Sequence, residues 1–185
     1  MNPSLAAHEL ARVFLLTVPL VIGGVIHMVA VKADILSYFK KPVHHRWFGQ
    51  NKTWRGFLVM PLATWPGVWL AQRMEGLFDL NAPLIIHESS LLLALFLGLG
   101  YCLAELPNSF MKRKLGIREG QTATKNKWLF VIIDQADSAV GCMLAYRLLL
   151  PLSLTTMLFT ILFGTGLHLF LNVALFLGGI RKNPF

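Results

Sequence analysis

The sequence predicts an all-α polytopic membrane protein of about five transmembrane helices, with the N-terminus outside and the C-terminus cytoplasmic. Three observations carry that prediction. The 185 residues are 55% hydrophobic and only 14% charged, whereas soluble domains hold about 25% charged residues. The apolar residues gather in runs of bilayer-crossing length, which needs roughly 20 residues each. The basic residues sit between those runs on alternate connections, as the positive-inside bias requires. Five spans leave little chain for a soluble module. Residues 1–185 are therefore expected to form a single integral membrane domain whose site is built from loops and helix ends.

Each run has its own signature. Residues 13–31 are apolar apart from Thr17 and His27. Residues 57–77 follow Arg55 and contain Pro61 and Pro66, which a membrane helix tolerates when neighbours re-satisfy the freed backbone groups. Residues 89–106 stay apolar until Glu105. Residues 128–150 carry Asp134, Asp137 and Arg147. Residues 152–179 are nearly uncharged, with His168 and Asn172 inside. The loops 32–56 and 107–127 hold six Lys or Arg residues each, and Arg181 and Lys182 follow the last run. Five spans put these 14 of the 17 basic residues on one face; four or six would split them. No cleavable signal peptide is expected, because the first run begins after Glu9 and Arg12 and is too long for a signal core. Cys102 and Cys142 lie in apolar segments, where packing is their expected role. The net charge of +8 would suit nucleic acid, an anionic membrane surface or a phosphorylated ligand. Its placement at one bilayer face favours the last two.

Three motifs share that face. In Asp134-Gln135-Ala136-Asp137-Ser138 the two acids lie three apart, on one side of a helix. A charge at membrane depth costs about 2.5–3.5 kcal/mol even on insertion scales, so such acids point to function. Two carboxylates facing one way repel unless a cation lies between them, and hard oxygen ligands suit Mg²⁺ bridging to phosphates. The plainer alternative is a structural pair satisfied by Lys112 or Arg113. In Glu105-Leu106-Pro107-Asn108-Ser109-Phe110 the proline disfavours helix at Leu106, so the helix is expected to break there into a polar segment. Asn108 and Ser109 then offer neutral hydrogen bonds, and Lys112 and Arg113 charge-assisted ones to phosphate. A capped helix end with snorkelling bases would look the same. Asn51-Lys52-Thr53-Trp54-Arg55-Gly56 leads into the second span. It is not a P-loop, since Asn51 stands where the glycine before the lysine is required and no strand precedes it. Its bases at a helix N-terminus favour an anion, or simply anchor the span at the interface. The histidines show no metal-ligand spacing and receive no role.

Taken in order, Asn51 to Gly56, then Leu106 to Phe110 with Lys112, Arg113 and Gly116, then Asp134 to Ser138, resemble the CDP-archaeol synthase family. The resemblance covers most of the chain. The acidic motif is also similar to the Asp-Arg-x-Asp-Ser signature of the phosphatidate cytidylyltransferases. The resemblance implies a five-span enzyme that moves CMP from CTP to a lipid phosphate, giving a CDP-lipid and pyrophosphate. Asp134 and Asp137, with Glu105 added, would hold Mg²⁺. Lys52, Arg55, Lys112 and Arg113 would neutralise the triphosphate and the lipid phosphate. Asn51, Asn108, Ser109 and Ser138 would position substrate. The expected partners are CTP, the lipid phosphate and the bilayer, with the site facing the cytoplasm; homo-oligomerisation stays open. No residue separates isoprenyl ether from acyl ester chains, because either needs only an apolar groove. Two other classes compete. An ion or proton transporter would use Asp134 and Asp137 as its relay, but polar residues fail to cross the full membrane depth. A membrane scaffold would leave the intramembrane acids without purpose.

Overall fold

The computed structural model describes residues 3–78, 83–121 and 127–178. Lys125, Gly179, Arg181 and Lys182 lie outside them. Among the described residues six α-helices follow in order: α1 (Pro3–Lys32), α2 (His45–Phe48), α3 (Trp54–Glu75), α4 (Ser90–Lys114), α5 (Lys127–Leu149) and α6 (Leu154–Leu177), with a 3₁₀ turn at Ser37–Phe39. The fold is that of an all-helical, multi-pass membrane protein. Among the described residues, four helices are long and apolar enough to cross a bilayer: Ala6–Lys32, Ser90–Lys114, Lys127–Leu149 and Leu154–Ala174. The second expected span, α3, has the length, 22 residues, or about 33 Å. Pro61, Pro66, Gln72 and three tryptophans keep its hydropathy lower. It packs between α1 and α4.

Successive long helices run in opposite directions, as their side-chain ties show. At one end, Arg55 at the start of α3 reaches Asp34 just beyond α1, Lys112 late in α4 reaches Asp134 early in α5, and Asn172 late in α6 reaches Gln135. At the other end, Thr156 at the start of α6 donates to Glu9 near the start of α1. Ser89 and Ser153 cap α4 and α6, each accepting a backbone N–H three residues on, as N-cap hydroxyls do. Between the ends runs a core of Leu16, Met60, Leu93, Leu97, Met143 and Tyr146. Cys102 and Cys142 are buried and unbridged.

Glycines set the helix spacing. A Cβ on Gly141 would lie 2.1 Å from the Gly100 carbonyl oxygen, and one on Gly98 would lie 2.3 Å from the Pro61 backbone nitrogen. Lipid offers little hydrophobic drive between helices, so backbones pack closely through small residues. That contact lies one turn beyond Asp137 and fixes how far α4 side chains must reach to touch α5.

One expectation is overturned. The chain does not break at Leu106: α4 continues through Pro107 to Lys114. The missing N–H and the ring's clash affect a single turn. Continuing the helix puts Glu105, Asn108, Ser109 and Lys112 at positions i, i+3, i+4 and i+7, one stripe along one face. The loop thus begins near Leu115 rather than at 107. The connection 32–56 is also more structured than a bare loop. An antiparallel bridge joins Pro42 to Thr53, with Val43 N–H donating to the Lys52 carbonyl at 2.8 Å and Trp54 N–H to that of Lys41 at 3.1 Å.

Candidate active site

At the end where the basic loops meet, a cavity of about 550 Å³ opens between α4, α5, α6 and the turn before α3. Each wall follows from local structure. The stripe on α4 supplies Glu105, Asn108, Ser109 and Lys112, with Arg113 beside it. The first half of α5 supplies Asp134 and Asp137. The bridged segment delivers Asn51 and Lys52. Of the residues expected at the site, Arg55 and Ser138 stand apart. Arg55 lines a second cavity, and Ser138 an adjoining one with Thr17, Leu20 and Val21.

Both aspartates converge on one amide. The Asn108 Nδ2 donates to Asp134 Oδ1 at 2.6 Å and to Asp137 Oδ2 at 2.8 Å. The Lys112 ammonium is paired with Asp134, and Lys52 with Glu105. Burial would lower the Lys52 pKa, but the Glu105 carboxylate opposes this and the net shift is upward. Lys52 therefore enters the cavity wall as a cation. Arg113 Nη1 lies 3.5 Å from Glu119 Oε2, and its Nε and Nη1 are buried without a hydrogen-bond partner. Unmet buried donors are costly, so this guanidinium is suited to an incoming anion. The Gln50 N–H donates to Glu119 Oε1 at 3.2 Å, tying the two loops across the rim.

Among the described residues, no three His, Cys, Asp or Glu side chains converge to hold a metal by themselves. Glu105 is engaged by Lys52 instead. The donor chemistry nevertheless fits Mg²⁺. The amide oxygen and nitrogen of Asn108 exchange places by a half-turn. That turn would present a third oxygen at the point where the two aspartates meet. Two carboxylates and an amide oxygen, completed by water and phosphate oxygens, make a set that Mg²⁺ accepts.

Sequence reasoning passed over several wall residues. Gln135, His168 and Asn172 line both this cavity and the adjoining one; Asn172 Nδ2 donates to Gln135 Oε1 at 2.6 Å. His168 and Asn172 are four apart, so a polar pair on one face of an otherwise apolar helix was their signal. Glu119 gave none, because it is one charge in a polar loop.

A family model described as CarS-like, CDP-archaeol synthase, matches residues 39–185. The CDP-archaeol synthase of Methanosarcina barkeri is 27% identical over 76% of this chain and 83% of its own length. That of Methanosarcina mazei is 28% identical with the same coverage. The Thermofilum pendens enzyme is 28% identical over 76% of this chain, which spans 60% of that relative. No solved structure matches the chain significantly.

Proposed function

The chain belongs to the CarS-like CDP-archaeol synthase family, and from that premise we propose that it moves CMP from CTP to the phosphate of an archaetidic-acid-like or phosphatidic-acid-like lipid. One observation carries the reading: two aspartates meet a single amide inside a cavity walled by Lys52, Lys112 and Arg113. Acids, bases and amides converge there, while no nucleophile–base pair does among the residues named. That is what phosphoryl-type transfer asks of a protein, since positioning and charge stabilisation do most of the work.

A lipid phosphate oxygen attacks the α-phosphorus of CTP. A new P–O bond forms, the α–β bridging bond breaks, and diphosphate departs with the bonding pair. Lys52, Lys112 and Arg113 neutralise the triphosphate; Asn51 and Ser109 orient it. Asp134 and Asp137, with Asn108 turned, would hold Mg²⁺, which would supply positive charge against the phosphates. As the triphosphate enters, Lys112 exchanges its Asp134 partner for phosphate oxygens. Ser138, with Thr17, Leu20 and Val21, lines the adjoining cavity of about 210 Å³ rather than the triphosphate cavity. The basic residues of the loops support a cytoplasmic setting for this end of the bundle.

The test is CTP-dependent release of pyrophosphate by purified protein, with archaetidic acid and phosphatidic acid assayed side by side. Turnover with either, lost in Asp137→Asn, supports the reading; undiminished turnover in that variant removes the metal assignment. The family match gives no support to an ion or proton transporter built on Asp134 and Asp137.

A further inference from the structure

The Lys52–Glu105 pair stands between two cavities. Beyond it from the aspartates lies one of about 360 Å³, between the ends of α1, α3 and α4, with Lys40, Lys52 and Arg55 on its polar side and Phe57, Met60 and Leu106 on its apolar side. Arg55 is 4% exposed. Its Nη1 donates to Asp34 Oδ1 at 2.7 Å, and its Nε is buried without a partner. Lys40 donates to the same Asp34 oxygen at 3.0 Å. A single carboxylate oxygen thus serves two bases while a buried guanidinium donor goes unmet. Asp34 itself is 52% exposed and sits on the turn after α1 with φ 51°, and Leu36 follows with φ 54°. Both are in the left-handed region that side chains disfavour. The anion facing Arg55 is therefore supplied from outside by a strained turn, not by the bundle.

The same turn shows which side a ligand would come from. Ile35, Tyr38 and Phe39 are exposed, and the Lys41 ammonium lies 5.5 Å over the Tyr38 ring. Aromatic and basic side chains of this kind belong in a headgroup layer.

We infer that this cavity is a second anion site, separate from the triphosphate cavity, for the phosphate monoester of a membrane lipid, and that Asp34 is the carboxylate which that phosphate displaces from Arg55 and Lys40. The inference rests on the lipid-phosphate transfer proposed above, for Lys52 lines both cavities and would join acceptor to nucleotide.

Binding is measured on purified protein in detergent without CTP, by titrating dioctanoylglycerol phosphate and, separately, inorganic pyrophosphate. Lys40→Gln, which loses a charge-assisted contact, should weaken lipid-phosphate binding by about three- to tenfold. Asp34→Asn, which removes the competing charge, should strengthen it by about two- to fivefold. Both side chains are more than half exposed, so the variants keep the fold. Unchanged lipid-phosphate affinity in either variant, or weaker binding in Asp34→Asn, overturns the site. A response confined to pyrophosphate assigns the cavity to the leaving group and overturns the lipid. A protein that binds the lipid phosphate in this pattern yet shows no CTP-dependent turnover refutes the transferase reading alone.

Discussion

The two ends of the bundle each hold carboxylates, buried at one end and half-buried at the other, and they satisfy them in different ways. At the end away from the cavity, Glu75 is 3% exposed and accepts three backbone N–H groups, from Leu84 at 2.7 Å, Ile85 at 2.8 Å and Ile86 at 2.6 Å. Those donors are held by the chain itself, so the carboxylate clamps a connection to the end of α3. At the cavity end, Asp134 and Glu105 are met by Asn108, Lys112 and Lys52, side chains that can swing away, and Asp137 by Asn108 together with one backbone N–H, that of Ser138 at 2.7 Å. Backbone-satisfied charge is architecture. Side-chain-satisfied charge beside a cavity can be exchanged for a ligand.

The widest separation between the two ends should come from matched isosteric changes. Asp137→Asn should lower turnover by about 10²–10³-fold, as loss of a transition-state charge partner does, with the thermal midpoint nearly unmoved. Glu75→Gln should leave turnover close to wild type. It should cost about 2–3 kcal/mol, because a neutral amide oxygen replaces charge-assisted acceptors, or a fall of roughly 4–12 °C in midpoint for a chain of this size. Turnover assays and thermal melts on the same preparations decide it, and crossed results would erase the distinction.

The contact between α4 and α5 sharpens the comparison next. Gly141→Ala brings a Cβ to within 2.1 Å of a backbone oxygen, which cannot yield without moving a helix. The displacement lies one turn from Asp137. A misplacement of about 1 Å can cost 10²-fold in rate, so turnover should fall by about that factor, with about 1–3 kcal/mol of stability lost to overpacking. Full activity in this variant would mean that the site tolerates helix movement.

These contrasts also show what the sequence could disclose. Four membrane-length apolar helices were legible because burial in lipid demands length and composition, and both are local; the run at 57–77 became α3, which has the length but a lower hydropathy. The convergence of Lys52, Asn108, Lys112 and the aspartates was legible as three polar motifs on one face. Pro107 misled because a single-residue preference was set above the 3.6-residue spacing of Glu105, Asn108, Ser109 and Lys112, which already described a helix. Arg55 misled in another way. It is three residues from Lys52, yet Thr53 between them is an extended N-cap. Lys52 belongs to the bridged segment and Arg55 to the helix, so Lys52 reaches the cavity of the aspartates as well as the second one, while Arg55 lines only the second. Glu75 carried no signal at all, because its partners are backbone groups about ten residues away.

Asn108 tests the fit of the proposed metal. Asn108→Ala removes the amide that bridges the aspartates, and should raise the Mg²⁺ concentration for half-maximal turnover by about tenfold or more, with the maximal rate partly recovered at saturating metal. A lowered rate with unchanged Mg²⁺ dependence would restrict Asn108 to holding the acids in place.

The smallest expected effect lies at the rim, where Glu119 ties the two loops. Its carboxyl is held below its ordinary value of 4.5 first by its own backbone N–H and then by that of Gln50, with Arg113 contributing less. A depressed folded-state value means the tie is intact above pH 4.5 and is lost as the pH falls through the lower folded value. CTP affinity that depends on the tie should therefore be level through neutral pH and weaken only in that acid window. Gly49 bears on the same contact. Its φ is +83°, and a Cβ there would meet Glu119 Cγ at 2.6 Å, so both the backbone and the neighbouring side chain favour glycine at this turn. Glu119→Gln should raise the KM for CTP by about twofold at neutral pH, as loss of an exposed charge does, with kcat unchanged. Hydrogen exchange at Gln50 should quicken alongside. If exchange quickens while KM stays fixed, the tie orders the loop without shaping the nucleotide cavity, and the exchangeable charge ends at Arg113.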